Sequence, residues 1–368
     1  MKQGRAVGWF KLAVLALVVL AAGASAGEWS VLWDRSEDNG DDIAVAAQAG
    51  SNGTVYVCGT SENDSVNDVV VLQFDSSGTR TRGPWVYNSG LVDQAVAFEV
   101  DTMHGRIYLL VNTDDEYFAV VSFSTADTSA YEWIDYLGGD PEFYPADITL
   151  HYKDDTVIGL VAVTTHYDDI GDEEACFYVR CYAGGSNLSV RWTRTFDWGA
   201  DPEDCDCLDD VAYAVCTAPD SGRVFVAGRS TVGHLSTEDV DDIRDVVVRF
   251  EPLTATATSC QLAALPVDTD NDPVLERPFD IAIGDERVYV VEAYSDTVNS
   301  GALDDNLQFR VASVPRDLQL GERRQFRNED GWHEQPARLT LGPRGVYVVG
   351  QEVDTTQTDP QAYMITTC

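Results

Sequence analysis

From residue 42 onward the chain alternates short apolar runs with turn residues, and the runs recur in a fixed order. The clearest is a β-branched and aromatic triplet: Val55-Tyr56-Val57, Ile107-Tyr108-Leu109, Val224-Phe225-Val226, Val288-Tyr289-Val290 and Val346-Tyr347-Val348, with a degenerate copy at Val157-Ile158-Gly159. Such runs predict short strands, and Asn52-Gly53, His104-Gly105, Ser221-Gly222 and Arg344-Gly345 supply turns into four of them. A first strand precedes each triplet: Asp42-Ile43-Ala44-Val45-Ala46, Asp93-Gln94-Ala95-Val96-Ala97, Pro145-Ala146-Asp147-Ile148-Thr149, Asp210-Val211-Ala212-Tyr213-Ala214, Pro278-Phe279-Asp280-Ile281-Ala282 and Pro336-Ala337-Arg338-Leu339-Thr340. Its first column is always Asp or Pro. Both suit the end of a connection, Asp by bonding nearby backbone and Pro by needing no ladder donor. A third strand follows each triplet, as at Asp68-Val69-Val70-Val71-Leu72 and Asp245-Val246-Val247-Val248. A fourth often opens with tryptophan, as at Trp85, Trp133 and Trp192.

The unit therefore predicts four antiparallel strands, present six times, with the sixth copy one strand short at Cys368. That strand stands at the other end of the chain. Ser30-Val31-Leu32-Trp33-Asp34-Arg35-Ser36 matches Ser189-Val190-Arg191-Trp192-Thr193-Arg194-Thr195, a fourth strand leading into the next unit. An open solenoid has no reason to begin mid-unit, whereas a closed ring pairs its two ends and hides their edges. The expected fold is all-β: a six-bladed β-propeller of four-stranded antiparallel blades, closed by the N-terminal strand completing the last blade, in one domain over 27–368. Copies are spaced 52 residues from Val55 to Ile107 and 58 from Val288 to Val346, longer than familiar propeller repeats. The surplus lies in acidic loops such as 197–208, 230–244 and 295–306, where such folds carry specificity.

The phrase resembles the bacterial secreted β-propeller repeat family: a small-residue strand, a Gly turn, an aromatic-centred strand, and a strand ending in Asp-Ser-Ser-Gly. The first copy carries it best, through Asp42 to Ala46, Val55 to Thr60 and Val69 to Gly78, and the fourth follows through Val211 to Val215, Val224 to Ser230 and Val246 to Phe250. The resemblance implies an extracytoplasmic propeller. It assigns no catalytic constellation, so no site residue is carried over.

Composition adds an address and a sign of charge. Lys2, Arg5 and Lys11, an apolar run from Leu12 to Ala22 and Ala24-Ser25-Ala26 predict a signal peptide over 1–26. The run is too short to span a bilayer, and no cysteine follows it to take a lipid, so the expectation is a secreted or periplasmic protein without membrane insertion. The formal charge is -38, and removing three basic residues with the leader makes it -41. Nucleic acid is excluded as a partner on that ground, and an extracellular protein, glycan or cation is favoured. Eight cysteines in an exported chain suggest disulfides, and five of them between Cys176 and Cys216 suggest a local staple.

Two constellations stand out as candidate sites. Asp268-Thr269-Asp270-Asn271-Asp272 puts carboxylates at i, i+2 and i+4, the spacing by which a loop wraps oxygen ligands around Ca2+. Position six is Pro273 and position twelve Phe279, so a plain solvated acidic loop is the competing reading. Second, Asp147, Asp280 and Arg338 are charged where other first strands carry Ala44, Ala95 and Ala212. These positions are expected near the ring axis, with Asp280 and Arg338 as an interblade ion pair and a ligand or metal site as the functional alternative. The five histidines lack ligand spacing, and no nucleophile elbow or phosphate loop occurs. A non-catalytic binding or scaffold protein is thus the first expectation; a hydrolase or lyase acting on carbohydrate or lactone at the axial pocket is the second.

Overall fold

The strands pair in sheets of four, each formed by consecutive segments joined by turns. The computed structural model describes residues 42–63, 66–113, 117–138, 143–169, 172–184, 188–196, 210–234, 241–252, 257–261, 277–295, 307–318, 322–325, 332–342 and 345–354. Sheet one is β1 (Asp42–Ala49), β2 (Val55–Asn63), β3 (Val66–Phe74) and β4 (Arg80–Tyr87); sheet two is β5 (Asp93–Asp101), β6 (Arg106–Thr113), β7 (Tyr117–Ser124) and β8 (Trp133–Gly138). Sheet three is β9 (Phe143–Lys153), β10 (Thr156–Asp169), β11 (Asp172–Ala183) and β12 (Ser189–Phe196); sheet four is β13 (Asp210–Thr217), β14 (Val224–His234), β15 (Asp241–Phe250) and β16 (Ala257–Gln261). Sheet five is β17 (Arg277–Ile283), β18 (Arg287–Ser295), β19 (Leu307–Pro315) and β20 (Glu322–Gln325), and β21 (Trp332–Gly342) pairs with β22 (Gly345–Asp354). All five complete sheets follow chain order, and every recorded pairing is antiparallel.

The described residues thus form five four-stranded sheets and one two-stranded pair. The third strand expected at Ala362-Tyr363-Met364-Ile365, the strand Ser30–Ser36 and the leader 1–26 lie outside the described residues. The chain divides into two compact units, one with the described residues up to Asp114 and Val121–Ile134, the other with Asp115–Val120 and those from Asp135 on.

In the second unit the sheets stack face to face. Sheet four turns Ala212, Val224, Val226, Val246, Val248 and Phe250 toward Val161, Val163, Phe177 and Val179 of sheet three. Its alternate residues Ala214, Phe225, Ala227 and Val247 pack on Ile281, Val288, Val290 and Ala312 of sheet five. Sheet five in turn packs Val291 and Val311 on Leu339 and Val348 of β21 and β22. A sheet covered on both faces needs apolar residues at consecutive positions, which is why the triplets read Val-Phe-Val rather than apolar-polar-apolar. The fit is close enough that a Cβ on Gly228 would overlap the Phe177 ring across the sheet-three interface.

The first column of the repeat sets the register. In the Asp-first strands the ladder slips at Val45, Val96 and Tyr213, after the third column; in the Pro-first strands it slips at Ala146, Phe279 and Ala337, before it. Proline offers no N–H to the ladder, so an extra residue is accommodated beside it at little cost. The three Pro-first strands are the three that carry charge in the third column, opposite Val163, Val291 and Val349. The degenerate triplet has a local cause as well. Ile158 is the extra residue of a bulge between β9 and β10, and a Cβ at Gly159 would collide with the Tyr182 carbonyl.

Candidate functional site

Asp147, Asp280 and Arg338 belong to β9, β17 and β21, and the fold brings them together. Arg338 Nη1 lies 3.7 Å from Asp280 Oδ1 and 3.9 Å from Asp147 Oδ1. Both carboxylates are buried, while the arginine is half-exposed. Each is also held by backbone. Val215 N–H of β13 donates to Asp147 Oδ2 at 3.0 Å, Leu339 N–H of β21 to Asp280 Oδ2 at 2.7 Å, and Ile281 N–H to Asp280 Oδ1 at 2.9 Å. The two aspartates therefore tie first strands to one another, β9 to β13 and β17 to β21, and one guanidinium spans both.

Burial dominates the electrostatics here. It pushes the Asp280 carboxyl up to about 6, with Arg338 pulling it back and Asp147 adding to the rise. Asp147 is raised for the same first reason and lowered in part by Arg338. Cys216 of β13 faces the pair; burial first, then Asp280 and Asp147, hold its thiol well above the ordinary value and so keep it neutral.

Sequence reading paired Arg338 with Asp280 alone, because those two sit in consecutive copies. That Arg338 also reaches Asp147, three copies back, follows only from how the first strands converge. Two further clusters had no sequence signal. Buried His151 donates Nε2–H to the Gly222 carbonyl at 2.9 Å, since a carbonyl can only accept, and so presents Nδ1 to the Cys181 thiol at 3.2 Å. Arg180 pairs with Asp135 at 3.0 Å, and the same carboxylate accepts from Tyr182 Oη at 3.0 Å. The Asp268, Asp270 and Asp272 loop lies outside the described residues. Cys58, Cys181 and Cys216 are free and buried within strands, and Cys176 is buried in β11; the staple expected between Cys176 and Cys216 falls partly on Cys205 and Cys207, which with Cys368 and the side chain of Cys260 lie outside the described residues. Strand interiors packed between sheets serve these thiols as small apolar residues. No helix among the described residues is long and apolar enough to cross a membrane.

No family model matches the chain, and no curated protein is similar to it in sequence. Solved structures match the chain at low identity. The plexin A4 extracellular region matches 85% of this chain at 6% identity and TM-score 0.48, and the chain spans 44% of that protein. The β-propeller domain of the Trilobed protease from Pyrococcus furiosus matches 88% at 8% identity and TM-score 0.40, over 95% of its own length. An endo-arabinase from Bacteroides thetaiotaomicron matches 74% at 13% identity and TM-score 0.39, over 93% of its length. With every score below 0.5, these likenesses carry no argument about this chain.

Proposed function

We propose that this chain is a secreted six-bladed β-propeller, closed by Ser30–Ser36 completing the blade of β21 and β22, that binds an extracellular partner through acidic loops. One observation carries the architecture. β13 packs on β9, β17 on β13 and β21 on β17, yet Arg338 of the last strand stands 3.9 Å from Asp147 of the first. Neighbouring strands in a flat stack move steadily apart, so four in succession whose ends meet must bend around a common axis. The charge of -38 and the Asp-rich long connections support the binding role and favour a cationic protein surface, a glycan or a cation. The i, i+2, i+4 spacing of Asp268, Asp270 and Asp272 supports adding a weak Ca2+ site to this proposal.

Two measurements test this reading. Deleting residues 27–36 from the mature chain removes the closing strand and lowers the thermal midpoint by many degrees; an unchanged midpoint refutes closure. Immobilised mature chain is titrated with a cationic protein and with a glycan array at low and high salt. Saturable binding weakened by amide replacement of Glu238, Asp239, Asp241 and Asp242 is expected. Turnover of a glycan or lactone without such binding replaces the scaffold role with the catalytic one.

A further inference from the structure

Three sheets meet at Asp147, Asp280 and Arg338 with two buried carboxylates to one half-exposed guanidinium, so the cluster carries one negative charge in excess when both acids are ionised. Both acids are held in place, Asp147 by Val215 N–H of β13 and Asp280 by Leu339 N–H of β21 and Ile281 N–H of its own strand. Among the described residues Arg338 is the cation recorded beside Asp280. Cys216 of β13 faces it as a neutral thiol, and Arg316 acts on that thiol. On β18, Val291 stands opposite Asp280 and Glu292 opposite Pro278; on β14, Arg229 stands across from Val211.

We propose that this triad is a proton-operated latch: one proton taken up on either Asp147 or Asp280 neutralises the cluster and holds β21 and β22 against the first strands of sheets three and five, and its loss loosens them. The latch is independent of ring closure and of any partner. One guanidinium within 3.9 Å of two buried carboxylates can balance one of them, and burial with the like charge of the first favours a proton on the second. The raised value of Asp280, about 6, agrees with this charge count. Because that folded value is raised, the folded chain holds the proton over a range where the unfolded chain has released it. The contribution is therefore fullest at low pH and is lost as pH rises from the ordinary aspartate value to about 6.

The test compares thermal midpoints of the mature chain and of Asp280→Asn at pH 4.5 to 6.5 in 0.5 M NaCl, which screens the general surface charge. The variant is neutral throughout, so the wild type should lose about 4 °C relative to it across that interval. Arg338→Gln leaves both acids without their cation and should displace the wild-type transition to higher pH. Amide exchange gives a local readout, with Leu339 and Ile281 better protected at pH 4.5 than at 6.5 once the intrinsic rate is corrected, and no such change in Asp280→Asn. If that variant does not fold, Asp147→Asn takes its place, since removing either charge balances the cluster. A wild-type midpoint that tracks the neutral variant at every pH, or rises relative to it with pH, overturns the latch.

Discussion

Trp85 opens the apolar end of β4, is fully buried, and reaches into the next sheet. Its indole N–H is shared between the Ser124 carbonyl at 2.9 Å and the Asp127 carbonyl at 3.0 Å, both in the turn from β7 to β8, and its ring lies 6.0 Å from that of Tyr56. Replacing it with phenylalanine keeps an aromatic ring and removes one donor and part of a bicycle. The lost donor leaves two carbonyls with one bond fewer, about 1–2 kcal/mol. The smaller ring leaves a void of about 40 Å3, which at about 24 cal/mol per Å3 adds about 1 kcal/mol. Trp85→Phe should thus cost about 2–3 kcal/mol. Trp192 has the same place in sheet three and donates to Pro252 O in the corresponding turn of sheet four, but at 3.2 Å and only half-buried, with its ring stacked on Phe250. Trp192→Phe should cost about 1 kcal/mol. Urea unfolding followed by far-ultraviolet circular dichroism compares the two, and exchange of amides 124–129 reports on the turn. Equal costs, or an unchanged turn in Trp85→Phe, would refute the view that the indole fastens one sheet to the next.

Other outcomes follow from the same geometry. Burial pushes the Cys58 and Cys181 thiols up to about 12 and raises that of Cys216, so these three, with buried Cys176, should resist iodoacetamide at pH 8 in the native chain and react once it is unfolded, as peptide mapping will show. Burial lowers the pKa of His151, so it stays neutral in the fold while the unfolded chain protonates near 6.5. Its contribution is present above that value and fades as pH falls; nitrogen-15 shifts should show the Nε2–H tautomer still at pH 6. Gly222 has φ of +70°, and a Cβ there would lie 2.8 Å from the Tyr152 carbonyl, so Gly222→Ala should cost about 1–3 kcal/mol in the same urea assay and weaken the His151 contact. Gly228→Ala forces the Phe177 ring from its seat and should cost about 1–3 kcal/mol by overpacking.

Strand content was legible because the repeat speaks six times, and a weak local preference repeated in phase becomes a strong one. Among the described residues the first, second and third strands and the Trp-led fourth strands fall where the apolar runs and turn residues place them, including the degenerate copy at Val157. The Asp or Pro of the first column was visible too, but its consequence was not. Which side of the third column the ladder slips depends on hydrogen bonds between strands, and a list of residues holds none of them.

The site divides along the same line. That Asp147, Asp280 and Arg338 break an alanine column is a property of the sequence, and charge in a small-residue column marks a place where charges must compensate one another inside the protein. How many meet is a matter of tertiary structure. Pairing by chain order gives one aspartate and one arginine, whereas convergence of the first strands sets a third group against them and leaves the count uneven. Cysteine spacing likewise suggested a staple, but a disulfide needs two Cβ atoms within about 4.5 Å, and the strands that hold Cys58, Cys181 and Cys216 in separate packed positions deny that approach to these three. Periodicity and turn chemistry act between neighbours along the chain, so the sequence by itself determined the strands and their order. Burial, proton affinity and the meeting of distant copies depend on distances through space, which only the packing of sheet on sheet decides.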